Sequence, residues 1–283
     1  SNYSDRIKEH IQKLERVGMG AFPPMIMAVF TKESQEDYIW NFLDACERFN
    51  FLVFAISHRS SNTQNSNLYR MAREYYIGNT DIETITAEIN LLTDGEDGWF
   101  DLKRFKNHIQ ELFFKNDKDG FYSWNGLRYF LYEYELYLQD NANPKVRWED
   151  FSKRTKEDTI EHIYPQSATD MYWKDRFGHL KPTEKRVYLN SLGNLLLLSR
   201  SKNSKLQNYD FDKKKCLKNK DGKDIGYYNG SYSEIEVSKQ NEWTTETIKE
   251  RGLSMLQFME ERWRFKFKDW EINKEEILFP SNK

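Results

Sequence analysis

Apolar side chains recur every three or four positions through much of the first half of the chain, which is the spacing of a half-buried helix. In the first such segment, Ile7, Ile11 and Leu14 fall on one helical face. The helices predicted from this spacing span residues 5–17, 34–49, 68–77, 80–92, 101–114 and 124–138. The first half of the chain is therefore predicted to be a bundle of helices.

A polar break at residues 141–144, with the sequence Asn-Ala-Asn-Pro, ends this helical region. Proline and asparagine disfavour the continuation of a helix, so a domain boundary is predicted here. The chain is therefore predicted to be mainly α. A helical bundle domain over residues 1–143 is followed by a small α+β domain over residues 144–283.

The second domain has a different pattern of apolar residues. Two short strands are predicted, one at residues 159–163 and one at the apolar run 195–198. A helix capped by Ser199 is predicted to run from Arg200 to about Asn208. A long final helix is predicted from about residue 244 to residue 265.

Composition and charge narrow the class of protein. Hydrophobic residues make up 38% of the chain and charged residues 31%, which suits a globular protein in water. The net charge of −2 gives no overall attraction to nucleic acid, so any such contact must come from local basic clusters. Two distant cysteines, Cys46 and Cys216, exclude a disulfide framework and a four-cysteine zinc site. With so few cysteines, a reducing cytoplasm is the expected compartment, and no apolar run approaches the length of a membrane span.

A carboxylate and a histidine stand side by side at Glu161 and His162, and Pro165 follows. Neutral imidazole accepts a proton near pH 7, so His162 is the candidate general base. Glu161 supplies a hard oxygen ligand of the kind that Mg²⁺ prefers. Neighbours on a strand point to opposite faces, so these two share a site only if the strand ends or bends there. Pro165 is consistent with such an end.

Two asparagines complete the candidate site. Asn203 comes four residues after Ser199, about one turn into the predicted helix, and its amide oxygen is a candidate second metal ligand. Asn194 follows Gly193, where a sharp turn is easy, and is a candidate to pin the loop behind His162 and fix its tautomer. Each residue alone is more often structural. Their combined order and spacing predicts a one-metal site for phosphodiester hydrolysis.

These segments resemble the HNH (ββα-metal) nuclease superfamily. They resemble more closely the C-terminal nuclease domain of GmrSD-type modification-dependent restriction endonucleases, which shows an "EHI.PQ" segment followed by "LGNL.LL". The resemblance covers roughly residues 125–265. The matching positions are Glu161–Gln166, Leu192–Leu198, Asn203, Trp243, Ile248, Arg251 and Trp263.

The resemblance implies a ββα-metal (HNH) fold and a metal-dependent DNA endonuclease. It implies that His162 is the general base, that Glu161 and Asn203 bind Mg²⁺ or Mn²⁺, and that Asn194 is an orienting residue. Many HNH proteins have aspartate at the position of Glu161, so direct and water-mediated metal binding both stay open here.

The resemblance also implies partners. The substrate is expected to be DNA, including modified phage DNA, in the cytoplasm of a bacterium, and no membrane is involved. Full-length relatives carry an N-terminal nucleotide-hydrolysing (NTPase) domain with a "DGQQR"-like motif, which this chain lacks together with any Walker A pattern. The chain is therefore expected to be the C-terminal part of a longer protein or a standalone nuclease.

A run of three lysines, Lys213, Lys214 and Lys215, lies just beyond the predicted site helix. These residues are candidates for binding DNA phosphates, and a solvated charged loop is the alternative. Two other functions also stay open. One is a catalytically silent module that docks an NTPase domain or DNA, and the other is an RNA-directed defence nuclease.

Overall fold

The computed structural model of the chain describes residues 3–115, 119–140, 142–152, 160–198 and 200–281. It is mainly helical, which confirms the mainly-α part of the predicted fold class, while the ββα-metal (HNH) arrangement stays a prediction. The chain forms two compact units, residues 1–105 and 106–283, and each is described separately.

The first unit is a bundle of α-helices. Its helices are α1 (Asp5–Val17), α2 (Pro23–Lys32), α3 (Glu36–Phe49), α4 (Asn65–Ile77) and α5 (Ile82–Asp94). Helix α3 packs against α1 and α5, while α2 packs against α4. A π-helical segment, Asn50–Ile56, continues α3.

Capping interactions and glycine explain where some helices of the first unit begin and end. The carboxylate of Asp81 accepts a hydrogen bond from the backbone N–H of Thr84 and so caps α5. Gly78, with a φ of 84°, ends α4 in the left-handed conformation that glycine adopts most easily. Helix α2 was not predicted from the sequence, because its apolar residues are too continuous to show a helical period.

The second unit contains helices of varied length and a small sheet. Helix α6 (Leu102–Phe114) leads into it. The later elements are α7 (Leu127–Gln139), α8 (Glu149–Ser152), β1 (Ile160–His162), α9 (Met171–Phe177), α10 (Pro182–Leu189), β2 (Leu195–Leu197), α11 (Arg200–Leu206), α12 (Phe211–Cys216), α13 (Tyr232–Ser238), α14 (Thr245–Trp263) and α15 (Lys274–Leu278). Short 3₁₀ turns lie at Gly120–Ser123, Leu192–Asn194, Tyr227–Asn229 and Phe267–Trp270.

The two predicted strands pair with each other. Strand β1 is antiparallel to β2, with Ile160 opposite Leu197 and His162 opposite Leu195. Helix α11 follows β2, as predicted, although Ser199, its predicted cap, lies outside the described residues, as does Thr159 before β1. Both strands are buried along their whole length, and helices α7 and α13 pack against β2.

The division into units differs from the boundary expected at residue 143, which falls inside the second unit. Helix α7 precedes that position yet packs against β2 and α13. Its carboxylate Glu135 is buried and accepts hydrogen bonds from the backbone N–H groups of Tyr232 and Ser233, which begin α13. These contacts make α7 part of the core that supports the sheet.

We found no membrane-spanning candidate in the described part of the chain: none of its helices combines the length and the apolar character that a bilayer crossing requires.

Candidate active site

Three of the four predicted site residues line one cleft in the second unit. The walls of the cleft, which encloses about 190 Å³, include Glu161, His162 and Asn203 together with Tyr122 and Gln166. Glu161 and His162 are each only 6% exposed, whereas Asn203 is partly exposed. The cleft therefore brings a carboxylate, an imidazole and an amide to one place, although Asn203 lies 41 residues after His162 in the sequence.

The end of a strand explains how two neighbouring residues reach the same cleft. His162 is the last residue of β1. The next residue, Ile163, donates its backbone N–H to the carbonyl of Asn194 at 3.0 Å, and Pro165 follows. Because the extended conformation stops here, the alternation of side chains no longer separates Glu161 from His162. The predicted end of the strand is confirmed.

The imidazole of His162 is held between an amide and an aromatic ring. Its Nε2 lies 3.1 Å from Oδ1 of Asn190, and the ring centroids of His162 and Tyr122 are 4.7 Å apart. Burial lowers the pKa of His162 to about 4, the Asn190 contact works against this shift, and the positive charge of Lys214 adds to it. The imidazole is therefore neutral near pH 7. An oxygen facing Nε2 places the ring proton there, which leaves Nδ1 as the basic nitrogen.

Asn194 lies behind the cleft and is completely buried. Its Oδ1 accepts hydrogen bonds from the backbone N–H of Tyr164 at 2.8 Å and from Nε1 of Trp243 at 3.0 Å. Its Nδ2 donates to the carbonyls of Tyr164 and Leu189 at 3.0 and 2.8 Å. The amide therefore pins the loop that follows His162.

The contact with the imidazole itself comes from Asn190, not from Asn194. The sequence analysis missed Asn190, which is the first residue after α10. Its position four residues before Asn194 was the available signal, but an asparagine at the end of a helix is also a common structural feature.

Glu161 takes part in a buried ion pair. Its Oε1 accepts hydrogen bonds from Nζ of Lys214 at 2.5 Å and from the hydroxyl of Tyr227 at 3.3 Å. Burial raises the pKa of Glu161, and both the Lys214 ammonium and the Tyr227 hydroxyl oppose that shift. Neither partner was predicted, because they lie 53 and 66 residues further along the chain.

The three lysines of α12 do not form the expected phosphate-facing cluster. Lys214 is fully buried against Glu161. Lys215 is also buried; its Nζ donates to the carbonyl of Gln240 at 3.2 Å and lies 3.0 Å from a carboxylate oxygen of Asp212. Only Lys213 is exposed, with its Nζ 3.5 Å from the ring centroid of Tyr209. The run fails as a cluster because successive helical residues point in different directions and two of them face the core.

Helix α14 supports the turn that carries Asn194. The guanidinium of Arg251 donates to the carbonyls of Gly193 and Leu195, both at 2.9 Å, and its Nε binds Glu236 at 2.9 Å. A side chain at Gly193 would come within 1.9 Å of the carbonyl oxygen of Ile248. Glycine is thus required for close approach of the turn to α14.

The groups of the cleft that could hold a metal ion are a carboxylate and an amide, which both offer oxygen donors. In the described parts of the chain, no group of three or more histidine, cysteine, aspartate or glutamate side chains is placed to hold a metal ion. The predicted ligands Glu161 and Asn203 line the same cleft.

Comparison with known proteins supports the resemblance to the GmrSD C-terminal domain. The sequence model for the C-terminal domain of GmrSD restriction endonucleases matches residues 104–258, which is more than half of the chain. Comparisons with curated proteins and with solved structures give no match. The matched region contains the whole cleft, the ion pair of Glu161 and the turn held by Arg251, and the chain belongs to the family of GmrSD restriction endonuclease C-terminal domains.

Proposed function

We propose that this chain is a metal-dependent HNH endonuclease that hydrolyses phosphodiester bonds in DNA. The observation that carries the proposal is the shared cleft of Glu161, His162 and Asn203. Membership of a restriction endonuclease family supports the same reaction class. In this proposal the chain is the nuclease part of a restriction or phage-defence protein, and a nucleotide-hydrolysing domain is its partner.

His162 acts as the general base. A neutral imidazole with its proton on Nε2, facing Asn190, presents Nδ1 to a water molecule. Taking a proton from that water creates the nucleophile that attacks phosphorus. Asn194 contributes by holding the loop at Tyr164, so that the imidazole keeps its position.

Glu161 and Asn203 are the residues that would hold Mg²⁺ or Mn²⁺. Their donors are a carboxylate oxygen and an amide oxygen, which suit a hard cation that keeps part of its water shell. The site fits this use because Lys214 and Tyr227 occupy only Oε1 of Glu161. When bound, the metal supplies positive charge that offsets the negative charge of the phosphate and the leaving oxygen.

The proposed substrate is DNA, including modified phage DNA. With a net charge of −2, the chain depends on local cations for affinity, and the exposed Lys213 is the candidate that remains from the lysine run.

The test is cleavage of supercoiled plasmid by the purified chain in Mg²⁺, in Mn²⁺ or in EDTA. We expect nicking in either metal, none in EDTA and none for His162→Ala. His179→Ala, which changes an exposed histidine in the same unit, is the matched control and is expected to cut normally. Cleavage that persists in His162→Ala would refute the assignment of the base.

The same assay distinguishes the other functions. A parallel digestion of RNA that exceeds digestion of DNA would favour an RNA-directed nuclease. DNA binding without cleavage in any metal would favour a silent binding module.

A further inference from the structure

The ammonium of Lys214 is surrounded by three oxygen atoms of the strand end. It donates to Oε1 of Glu161 at 2.5 Å, to the carbonyl of Ile163 at 3.1 Å and to the carbonyl of His162 at 3.2 Å. An ammonium has three donor hydrogens, so these acceptors use all of them. Lys214 therefore has no donor left for a phosphate or for another ligand.

The two carbonyl contacts bear on the shape of the strand end. Along an extended strand, consecutive peptide groups face opposite ways, so one ammonium reaches two consecutive carbonyls only where the strand has ended. Lys214 binds the carbonyls of His162 and Ile163 at this point. The same side chain therefore stabilises the bend that brings Glu161 and His162 into one cleft.

The hydrogen bonds to the Glu161 carboxylate involve one of its two oxygen atoms. Lys214 and Tyr227 both bind Oε1. Within the described residues, no hydrogen bond to Oε2 is found, and Glu161 lines the cleft. The carboxylate is thus held by one oxygen from the protein side.

Stability alone does not account for this ion pair. Both side chains are almost completely buried. Replacing a buried ion pair by well-packed apolar residues is often neutral or stabilising, because the charges lose their hydration on burial. A role in placing the carboxylate explains why two charges lie here.

We propose that Lys214 is a positioning residue, which anchors Oε1 of Glu161 and the strand end so that Oε2 is presented to the metal. This inference rests on the proposed function. It also gives α12 a role in the site that differs from the phosphate contact expected from the lysine run.

Electrostatic repulsion between Lys214 and the metal is the alternative to the positioning role. A positive charge beside the carboxylate also repels a metal cation. If repulsion dominated, removal of the ammonium would strengthen metal binding, whereas loss of positioning weakens it. The sign of the change therefore decides between the two.

The experiment is a calorimetric titration of the full chain with Mn²⁺, for the wild type and for Lys214→Met. We expect metal binding to weaken by about 10–100-fold, the usual effect of removing a group that orients a metal ligand. Lys215→Met is the matched control. It removes a buried lysine of the same helix, bonded to Gln240 and Asp212 away from the cleft, and should leave Mn²⁺ affinity unchanged.

Two further variants keep the test valid if Lys214→Met does not fold. Tyr227→Phe removes only the second anchor of Oε1 and should weaken Mn²⁺ binding by a few-fold, about 2–5-fold for one neutral hydrogen bond. In a Glu161→Gln background, adding Lys214→Met removes the unpaired charge. Because Lys214 acts through Glu161, adding Lys214→Met to Glu161→Gln should cause no further loss of metal affinity.

The outcomes separate this inference from the proposed function. If the wild type binds Mn²⁺ and cuts DNA while Lys214→Met binds Mn²⁺ equally or more tightly, the positioning role is refuted and the proposed function stands. If the wild type neither binds metal nor cuts DNA, both are refuted.

Discussion

Asn194 binds both hydrogen-bonding groups of the Tyr164 backbone, accepting from its N–H at 2.8 Å and donating to its carbonyl at 3.0 Å. The amide acts as a substitute strand partner for a residue that lies beyond the end of β1. Since Tyr164 comes two residues after His162, this pairing connects the turn before β2 with the candidate base.

Replacing Asn194 by alanine should destabilise the fold. The change leaves the N–H of Tyr164 and the indole N–H of Trp243 buried without acceptors, at a cost of about 3 kcal/mol in total. Urea denaturation of Asn194→Ala measures this loss. Asn241→Ala, at an exposed position, should stay within about 0.5 kcal/mol of the wild type. Equal stability of the two variants would contradict the role assigned to Asn194.

Gly193→Ala should separate the turn from α14. Its new methyl group would lie 1.9 Å from the carbonyl oxygen of Ile248 and 2.8 Å from the backbone nitrogen of Gly252, and these backbone atoms of α14 leave little room to adjust. Overpacking of this kind costs about 1–3 kcal/mol. Gly222→Ala is the comparison, because nothing lies within 4 Å of the added carbon and its cost of about 1 kcal/mol comes only from its positive φ.

We expect Gly193→Ala to lose activity beyond its loss of stability, because Asn194 moves with the turn. Plasmid nicking at a temperature where both glycine variants are folded checks this. Equal activity of the two variants would show that the turn does not position the site.

The pH dependence of stability should reveal the buried imidazole. The folded pKa of His162, about 4, lies below the ordinary value of 6.5, so the unfolded chain takes up the proton first on acidification. The stability contributed by the neutral ring is present above pH 6.5, falls as the pH drops towards 4, and changes no further below that. The total change is about 3 kcal/mol.

Urea denaturation of the wild type and of His162→Gln from pH 7.5 to 4 measures the contribution of His162 by difference, which removes the effect of other groups. A difference in unfolding free energy that stays constant over this range would show that the imidazole titrates normally.

Glu161→Gln should destabilise the chain more than a change at the surface does. It leaves the ammonium of Lys214 buried without its carboxylate, and breaking such a pair costs about 3–5 kcal/mol. The double variant Glu161→Gln with Lys214→Met removes both charges and should recover most of the loss. Thermal denaturation of the single and double variants gives the coupling energy, which would be near zero if the pair did not interact.

Lys213→Gln should weaken DNA binding without changing stability. Lys213 is exposed, so the loss of one phosphate contact would lower the slope of log affinity against log salt by about 1. Fluorescence anisotropy with a labelled duplex at several salt concentrations measures the slope. An unchanged slope would remove the last residue of the lysine run from the proposed DNA surface.

The local patterns in the sequence predicted the local structure well. Helices α1, α3 to α7 and α14, the two strands and the start of α11 all lie close to their predicted positions. These elements depend on apolar spacing and helix-breaking residues within a few positions of each other. They can therefore be predicted without knowledge of the tertiary structure. The motif also predicted that Glu161, His162 and Asn203 lie together. They line one cleft because a short strand pair followed by a helix brings Asn203 back to the end of β1.

Long-range packing decided what the sequence left open. Three lysines in a row, Lys213, Lys214 and Lys215, look equivalent in the sequence. Only the packing of α12 leaves the first exposed, buries the second against Glu161 and buries the third against the carbonyl of Gln240. The same docking supplies Lys214 to Glu161, and the turn after α10 supplies Asn190 to His162. The sequence by itself therefore indicated three groups of the cleft, Glu161, His162 and Asn203. The tertiary structure decided their partners and charges, because burial and ion pairing depend on residues far away along the chain.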